Sequence, residues 1–356
     1  MRVLYIGDRG VGGIAGHVKC LTESLPSDVE RHVIGVGGDE AFAGKNGHDV
    51  REWFQIRRVI RTFRPDVVHF HIPNLFFALY LRIVRLFGFF NCSVVCSWHT
   101  PTDRKMGWQH RVFFWLLGKD CYYLPVSSVT WEGLKKWLPY ARGEVFYNPM
   151  RIGNREEGRG KWEEGTGNWE RADNYVVGMV GRNADQKDWP SFHKVEKLVK
   201  DKVSEFKGFK VFGLQGCNVE FLNAGEMEVC NGREAIEKMD LFVMTSKHEQ
   251  LPTTVLECFL LGTPICGFLP VGGTKDILEF STGPLREVFI AERDCEKLAD
   301  IVMDLLAHPE KRQALVEDGR QILEGHFDAE KNVRGQLMRV YEMSGRDEWE
   351  WDNGSF

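Results

Sequence analysis

Glu249 and Glu257 lie in the string Ser246-Lys-His-Glu-Gln-Leu-Pro-Thr-Thr-Val-Leu-Glu257. Carboxylates accept hydrogen bonds from paired hydroxyls such as those of a sugar or a ribose. The residues around them predict where the two carboxylates stand. Asp240-Leu-Phe-Val-Met-Thr245 is an apolar run of strand length, so Ser246 to Gln250 leaves the carboxyl end of a strand, where open α/β sheets place ligands. Pro252 suits the first turn of a helix, because the N–H it lacks would have no partner there. That helix is predicted to reach Leu261 and stop at Gly262, with Pro264 beyond. Glu249 then precedes the helix and Glu257 sits on its second turn. The N–H groups of Leu251, Thr253 and Thr254 point out of the helix start, an anion site strengthened by the macrodipole. One ligand can touch all three parts: a sugar at Glu249, phosphates at the helix start around Leu251, Pro252 and Thr253, and a ribose diol at Glu257. Two solvated glutamates flanking an ordinary helix start would explain the pair alone, but not the whole string.

The string Ser246 to Gly262, followed by Pro264 and Gly272-Gly273, resembles the donor-site signature of retaining GT-B glycosyltransferases of the family-4 type, the glycosyl transferases group 1. Their hallmark is glutamate, seven residues, glutamate. Further motifs agree in order: Gly12-Gly13-Ile-Ala-Gly-His17 after a first strand, Pro65-Asp-Val-Val-His-Phe-His71, His99 ending the strand Ser93 to Trp98, Val126-Ser127-Ser128, Tyr147-Asn148-Pro149, and Gly178-Met-Val-Gly-Arg182 with Lys187. The resemblance spans residues 2 to 325. It implies an α/β, GT-B architecture: two Rossmann-like doubly wound domains facing across a cleft. An acceptor-binding domain would occupy residues 1–150 and a nucleotide-sugar donor domain 174–328. A C-terminal helix and tail over 329–356 would cross back to the first domain.

Composition and patterning are compatible with that division. At 356 residues the chain exceeds the usual span of a single core. Strand and helix patterns alternate, which predicts parallel sheets covered by helices. Strands are expected at Val3 to Gly7, His32 to Gly35, Asp66 to His71, Ser93 to Trp98, Cys121 to Val126 and Glu144 to Tyr147. In the second half they are expected at Tyr175 to Val180, Lys210 to Gly213, Met227 to Cys230, Leu241 to Thr245, Pro264 to Phe268 and Val288 to Ile290. The polar, glycine-rich stretch within 151–173 reads as linker, and a last helix is expected from Ala329 to Met343. The nine cysteines are odd in number and scattered, which suits free thiols in a reducing cytosol. Met1-Arg-Val-Leu-Tyr-Ile-Gly reads as a strand entering a glycine loop rather than a signal peptide, and no apolar run reaches the ~20 residues of a membrane span. A cytoplasmic location is expected.

A nucleoside diphosphate leaving group gains negative charge as the glycosidic bond breaks, so its site needs cations or oriented N–H groups. Arg182 and Lys187 match the family's basic pair, Arg as a bidentate fork and Lys as a movable point charge. Gly12 and Gly13 carry no Cβ and would let the backbone approach the same oxygens. His99 matches the histidine implied to lie beside the donor sugar, where it would stabilise the transition state or orient the acceptor. His69 and His71 read as packing or supporting residues. The resemblance implies retention of anomeric configuration without a protein nucleophile, so Glu249 and Glu257 bind rather than attack. No Asp-x-Asp motif and no Cys/His cluster with zinc spacing is present, so no metal and no cofactor is expected beyond the nucleotide-sugar co-substrate. Gly7-x-x-Gly10-x-Gly12 departs from the dinucleotide fingerprint. Gln250, Cys258 and Thr100 depart from the family pattern and leave donor identity open.

Two other readings are a GT-B sugar-nucleotide epimerase, for which Asp103 is the candidate acid or base near His99, and a non-catalytic nucleotide-sugar-binding subunit. The retention of His99, Arg182, Lys187 and Glu249 argues against the latter. Expected partners are a nucleotide-sugar donor and a glycan or lipid-linked acceptor, with no nucleic acid. Residues 1–150 carry 19 Lys and Arg against 13 Asp and Glu, whereas the remainder carries 27 against 38. Arg51, Arg57, Arg58, Arg61 and Arg64 cluster in one predicted helix, and Leu75 to Phe90 and Trp108 to Leu117 mix basic with large apolar residues. These stretches suit either helices packed on the sheet, the favoured reading, or peripheral contact with the inner face of a membrane.

Overall fold

Runs of β-branched and aromatic residues form two all-parallel sheets, and buried strands on both faces need such runs. The computed structural model describes residues 1–8, 13–36, 50–71, 75–86, 92–99, 107–118, 120–152, 174–205, 218–225 and 231–345. The chain divides into two units, Met1–Arg151 with Asp328–Phe356, and Ile152–Phe327.

In the first unit β1 (Arg2–Asp8), α1 (Gly13–Ser24), β2 (Glu30–Val36), α2 (Val50–Phe63), β3 (Val67–Phe70), α3 (Leu75–Leu86), β4 (Ser93–Trp98), α4 (Trp108–Leu117), β5 (Cys121–Pro125), α5 (Ser128–Trp137) and β6 (Arg142–Gly143) alternate. The strand order is β2-β1-β3-β4-β5-β6. The chain leaves β1 toward β2 and returns on the other side at β3, so the switch point lies between β1 and β3.

The second unit contains β7 (Asn174–Val180), a 3₁₀ turn at Asp185–Lys187, α6 (Trp189–Glu205), β8 (Asn218–Ala224), α7 (Gly232–Glu237), β9 (Leu241–Met244), β10 (His248–Glu249) and α8 (Thr253–Leu261). It continues through β11 (Ile265–Phe268), β12 (Val271–Gly272), α9 (Thr274–Glu279), β13 (Phe289–Ile290), α10 (Cys295–Ala307) and α11 (Pro309–Ile322). Its order is β13-β11-β9-β7-β8, with β10 and β12 paired separately. Here the switch point lies between β7 and β9.

After Asp328 the chain forms α12 (Ala329–Asn332), a π-helical turn at Val333–Leu337 and α13 (Met338–Gly345). This segment rejoins the first unit. Alternate residues of β1 point to opposite faces, as strand geometry requires. Leu4 and Ile6 join Val68, Phe70, Cys96 and Phe113 in one core. Val3 and Tyr5 join Val18, Leu21 and Val95 in the other, which Val333, Leu337, Val340 and Tyr341 close from the C-terminal helix.

Several expectations shift. The strand expected at Glu144 to Tyr147 is found at Arg142–Gly143. The N–H groups of Glu144 and Phe146 still reach the carbonyls of Tyr123 and Pro125, at 3.2 and 2.9 Å, so the pairing runs on without regular strand geometry. β8 was not expected; it is the last strand of its sheet among the described residues, and polar residues such as Asn218 and Glu220 obscure its pattern. The strands expected at Lys210 to Gly213 and Met227 to Cys230 lie outside the described residues, as do Gly12, Asp103 and most of the linker stretch. Arg64 falls beyond α2 in the left-handed region, at φ 46°, so the arginine cluster does not share one helix throughout. Cys20, Cys92, Cys96, Cys121, Cys258, Cys266 and Cys295 are free thiols. Among the described residues, no helix is long and apolar enough to cross a membrane.

Candidate active site

The sequence-predicted donor residues of the second unit gather at its switch point. Arg182 follows β7, and Lys187 closes the 3₁₀ turn a few residues on. Glu249 precedes α8 as expected, and it lies in β10, whose pairing with β12 pins its backbone. Gly272 makes this possible: at φ +129° a side chain there would collide with the Glu249 carbonyl oxygen, so glycine lets the two short strands meet. The Gly273 N–H donates to that same oxygen at 2.9 Å.

Lys187 and Glu249, for which separate ligands are expected, form an ion pair with Nζ and Oε1 2.7 Å apart. Both are largely shielded from solvent, with side chains 16% and 10% exposed. Gln186 Nε2 donates to the His248 carbonyl at 2.7 Å and tethers the turn to β10. Arg182 is exposed, and its guanidinium makes no hydrogen bond or ion pair with a described residue. Pro252 is the N-cap of α8 rather than its first helical residue, and no side chain caps the helix start. The N–H groups of Thr253 and Thr254 therefore have no intrahelical acceptor. Leu251 is buried and fixes the approach to the helix. Gly262 ends α8 with φ 67°. Glu257 is half-buried on α8; burial pushes its carboxyl up from the usual range, while Arg233 and Lys187 pull it back. Two free cationic or N–H sources thus flank two carboxylates, an arrangement able to hold an anion and several hydroxyls together.

Sequence reasoning missed Arg293. Its guanidinium bonds Asp188 and the Thr245 carbonyl, reaches the Ser246 carbonyl at 3.2 Å and lies over the Phe268 ring. It thereby ties the Lys187 turn to the end of β9. Asp188 accepts this bond in the left-handed conformation, at φ 55°. A lone arginine with partners so distant in sequence carries no local pattern that could have identified it.

In the first unit, Gly13 opens α1, and His99 directly follows β4. His99 lies edge-on to His17, with ring centroids 5.0 Å apart, and stacks on His71 at 5.8 Å. His17 and His71 meet edge-on at 5.2 Å. Burial lowers the His99 pKa to about 4 and those of His17 and His71 well below the usual value, so all three are neutral imidazoles at pH 7. His69 differs from them. Its Nδ1 meets the Tyr341 hydroxyl at 2.6 Å and its Nε2 the Ser97 hydroxyl at 2.9 Å, while Tyr341 also meets the Tyr5 hydroxyl at 2.9 Å. The C-terminal helix therefore supplies a hydrogen-bond anchor beneath the histidines.

Residues 11–150 match the model of Glycosyltransferase Family 4, and residues 216–322 that of Glycosyl transferases group 1. The chain is 26% identical over 300 residues to a 2-deoxystreptamine N-acetyl-D-glucosaminyltransferase of Streptomyces fradiae, covering 76% of this chain and 69% of the relative. Among solved structures it resembles Anabaena HepE in complex with UDP and glucose, at 16% identity and a TM-score of 0.63 over 96% of this chain and 99% of that one. It also resembles a sucrose-phosphate synthase of Thermosynechococcus elongatus, at 14% identity and a TM-score of 0.66 over 96% and 98% of the two chains. A glycosyltransferase of Rickettsia africae gives 13% and 0.67 over 97% and 99%.

Proposed function

This chain belongs to the GT-B glycosyltransferases of the family-4-like, group 1 type, and we propose that it moves a sugar from a UDP-sugar to an acceptor hydroxyl, retaining anomeric configuration and using no metal ion. The observation that carries the reading is the Lys187–Glu249 pair beside the uncapped start of α8, at the β7/β9 switch point. Arg182, Lys187 and the N–H groups of Thr253 and Thr254 take the diphosphate and meet its growing charge as the bond to the sugar breaks. Glu257 accepts from the ribose, and Glu249 from the sugar once Lys187 turns to phosphate. His99, neutral and partly buried, donates or accepts a hydrogen bond at the reacting sugar or the acceptor. The UDP and UDP-glucose of the Anabaena structures and the N-acetylglucosaminyl group in the Streptomyces relative's name set the first donors to try. Thermal shift with a panel of UDP- and GDP-sugars, followed by product analysis by NMR, tests the assignment. UDP-sugars should raise Tm and be slowly hydrolysed or transferred with retention; no shift with any nucleoside diphosphate overturns it.

The acceptor is assigned to the first unit, either as a glycan or as a lipid-linked sugar met at the inner face of a cytoplasmic membrane. Helices α3 and α4 pack together and bury Ala78, Leu81, Phe113, Phe114, Leu116 and Leu117. Their other faces expose Leu79, Ile83, Val112, Trp108 and Trp115, the two tryptophans at 67% and 81%. Arg111 stands beside them in solvent, and the first 150 residues are net basic. Tryptophans and cations on one exposed helix face suit a bilayer interface with anionic headgroups. Vesicle flotation tests it: binding to anionic vesicles that weakens in salt and is lost in Trp108→Ser/Trp115→Ser is expected, whereas no flotation assigns a water-soluble acceptor.

A further inference from the structure

We propose that His17, His71 and His99 form a binding site for one divalent transition-metal ion of the zinc class, distinct from the diphosphate site. The three come from α1 and from the residues directly after β3 and β4, and each offers a ring nitrogen within 4.8 Å of the others. Both ring nitrogens of His17, both of His71 and Nε2 of His99 are buried without a hydrogen-bond partner. Buried polar atoms in folded proteins are nearly always paired, so such a concentration in one place points to a ligand. His69 makes the contrast. Its ring lies 4.3 Å from that of His71, yet both of its nitrogens are satisfied, by Tyr341 and Ser97. The fold thus pairs the histidine that supports the cluster and leaves the three around it open.

The donor set decides the class of ion. Three imidazoles without a carboxylate suit zinc, copper, nickel or cobalt and not magnesium or calcium. Neutral imidazole is the ligating form, and burial keeps all three rings neutral. Tetrahedral zinc at about 2.0–2.1 Å from each nitrogen places the donors roughly 3.4 Å apart, so the rings must close by up to about 1.4 Å. No fourth protein donor joins the group among the described residues, which leaves one coordination position for water. Because His99 belongs to the set, a bound ion occupies the group that the proposed transfer uses. The ion is therefore an inhibitor of transfer rather than its cofactor, a consequence that rests on the functional reading above, whereas the site itself does not.

The full chain, freed of any affinity tag and treated with chelator, is titrated with Co²⁺ and Zn²⁺. One equivalent of Co²⁺ should bind with a d–d absorption of nitrogen-rich tetrahedral or five-coordinate cobalt, and Zn²⁺ should displace it and raise Tm. His71→Phe and His17→Phe should each weaken binding by at least the roughly 10- to 100-fold that loss of even an outer-shell partner costs. His32→Ala, on an exposed strand position, should leave it unchanged. X-ray absorption of the wild-type zinc complex keeps the proposal testable if a variant fails to fold: about three nitrogen scatterers near 2.0–2.1 Å are expected. No binding at ion concentrations near that of the protein, or equal affinity in His71→Phe, refutes the site. With an active donor in hand, Zn²⁺ should abolish turnover and EDTA restore it. Binding without inhibition leaves the site standing and removes His99 from the transfer step.

Discussion

Replacing each of the two glutamates by alanine should separate nucleotide binding from turnover. Lys187 Nζ and Glu249 Oε1 lie 2.7 Å apart, a gross attraction of about 6 kcal/mol at an effective dielectric constant of 20. Desolvation and lost side-chain freedom consume most of it, leaving about 1.5–3 kcal/mol, as for other hydrogen bonds to charged groups. An arriving diphosphate must compete with Glu249 for that ammonium. In Glu249→Ala the competitor is gone, so affinity for free UDP should hold or rise, while kcat with a UDP-sugar falls because the sugar loses its acceptor. Glu257→Ala removes the proposed ribose partner and should weaken UDP by about 1.5–3 kcal/mol, roughly 10- to 150-fold. Isothermal calorimetry with UDP, alongside initial rates with the active donor, reads both effects. Equal loss of UDP affinity in the two variants would refute the division of roles and place both carboxylates on the nucleotide.

Transfer should survive EDTA, and Arg182→Ala and Lys187→Ala should each lower kcat by about a hundredfold or more, as loss of a preorganised charge-stabilising donor does; abolition by chelator with full rescue by Mn²⁺ overturns the metal-free assignment. Gly272→Ala should destabilise the second unit by at least the roughly 1–3 kcal/mol of a strained backbone, since its new Cβ meets the Glu249 carbonyl; an unchanged Tm refutes that reading of the β10–β12 contact. Tyr341→Phe leaves His69 Nδ1 buried without its partner and should cost about 1–3 kcal/mol in thermal or urea unfolding; a variant as stable as the wild type means that a water replaces the hydroxyl.

The α8 region was legible because its signals are local. Pro252 and Gly262 bracket a helix in any context, and β9 announces itself by being apolar throughout and buried throughout. The pairing that pins Glu249 was not legible because β10 is two residues long and depends on Val271 and Gly272, more than twenty residues away. β8 escaped because Asn218, Glu220 and Asn223 are scattered through it, and period-two patterning then carries little contrast. The amphipathic character of α4 was hidden by its composition. Tryptophan and phenylalanine read alike as apolar, yet Phe113 and Phe114 are buried while Trp108 and Trp115 are exposed.

Topology explains why distant residues converge without any local sign of it. A parallel sheet that reverses its direction of winding leaves a gap above the carboxyl ends of the two diverging strands, since their crossovers go to opposite sides. In the first unit the gap lies above β1 and β3, and His71 follows β3, His99 follows the adjoining β4 and His17 enters from the helix that β1 feeds. In the second unit it lies above β7 and β9, which deliver Arg182 with Lys187 on one side and Glu249 with the start of α8 on the other. No window of sequence contains both sides of either gap. Arg293 and Tyr341 lie further out still: each comes from a late segment and reaches back to the strand ends, Arg293 to Thr245 and Ser246, Tyr341 to His69. Their contribution is to hold the ends of β9 and β3 in place. Substituting either should therefore disturb the residues proposed to bind ligand without removing any of them.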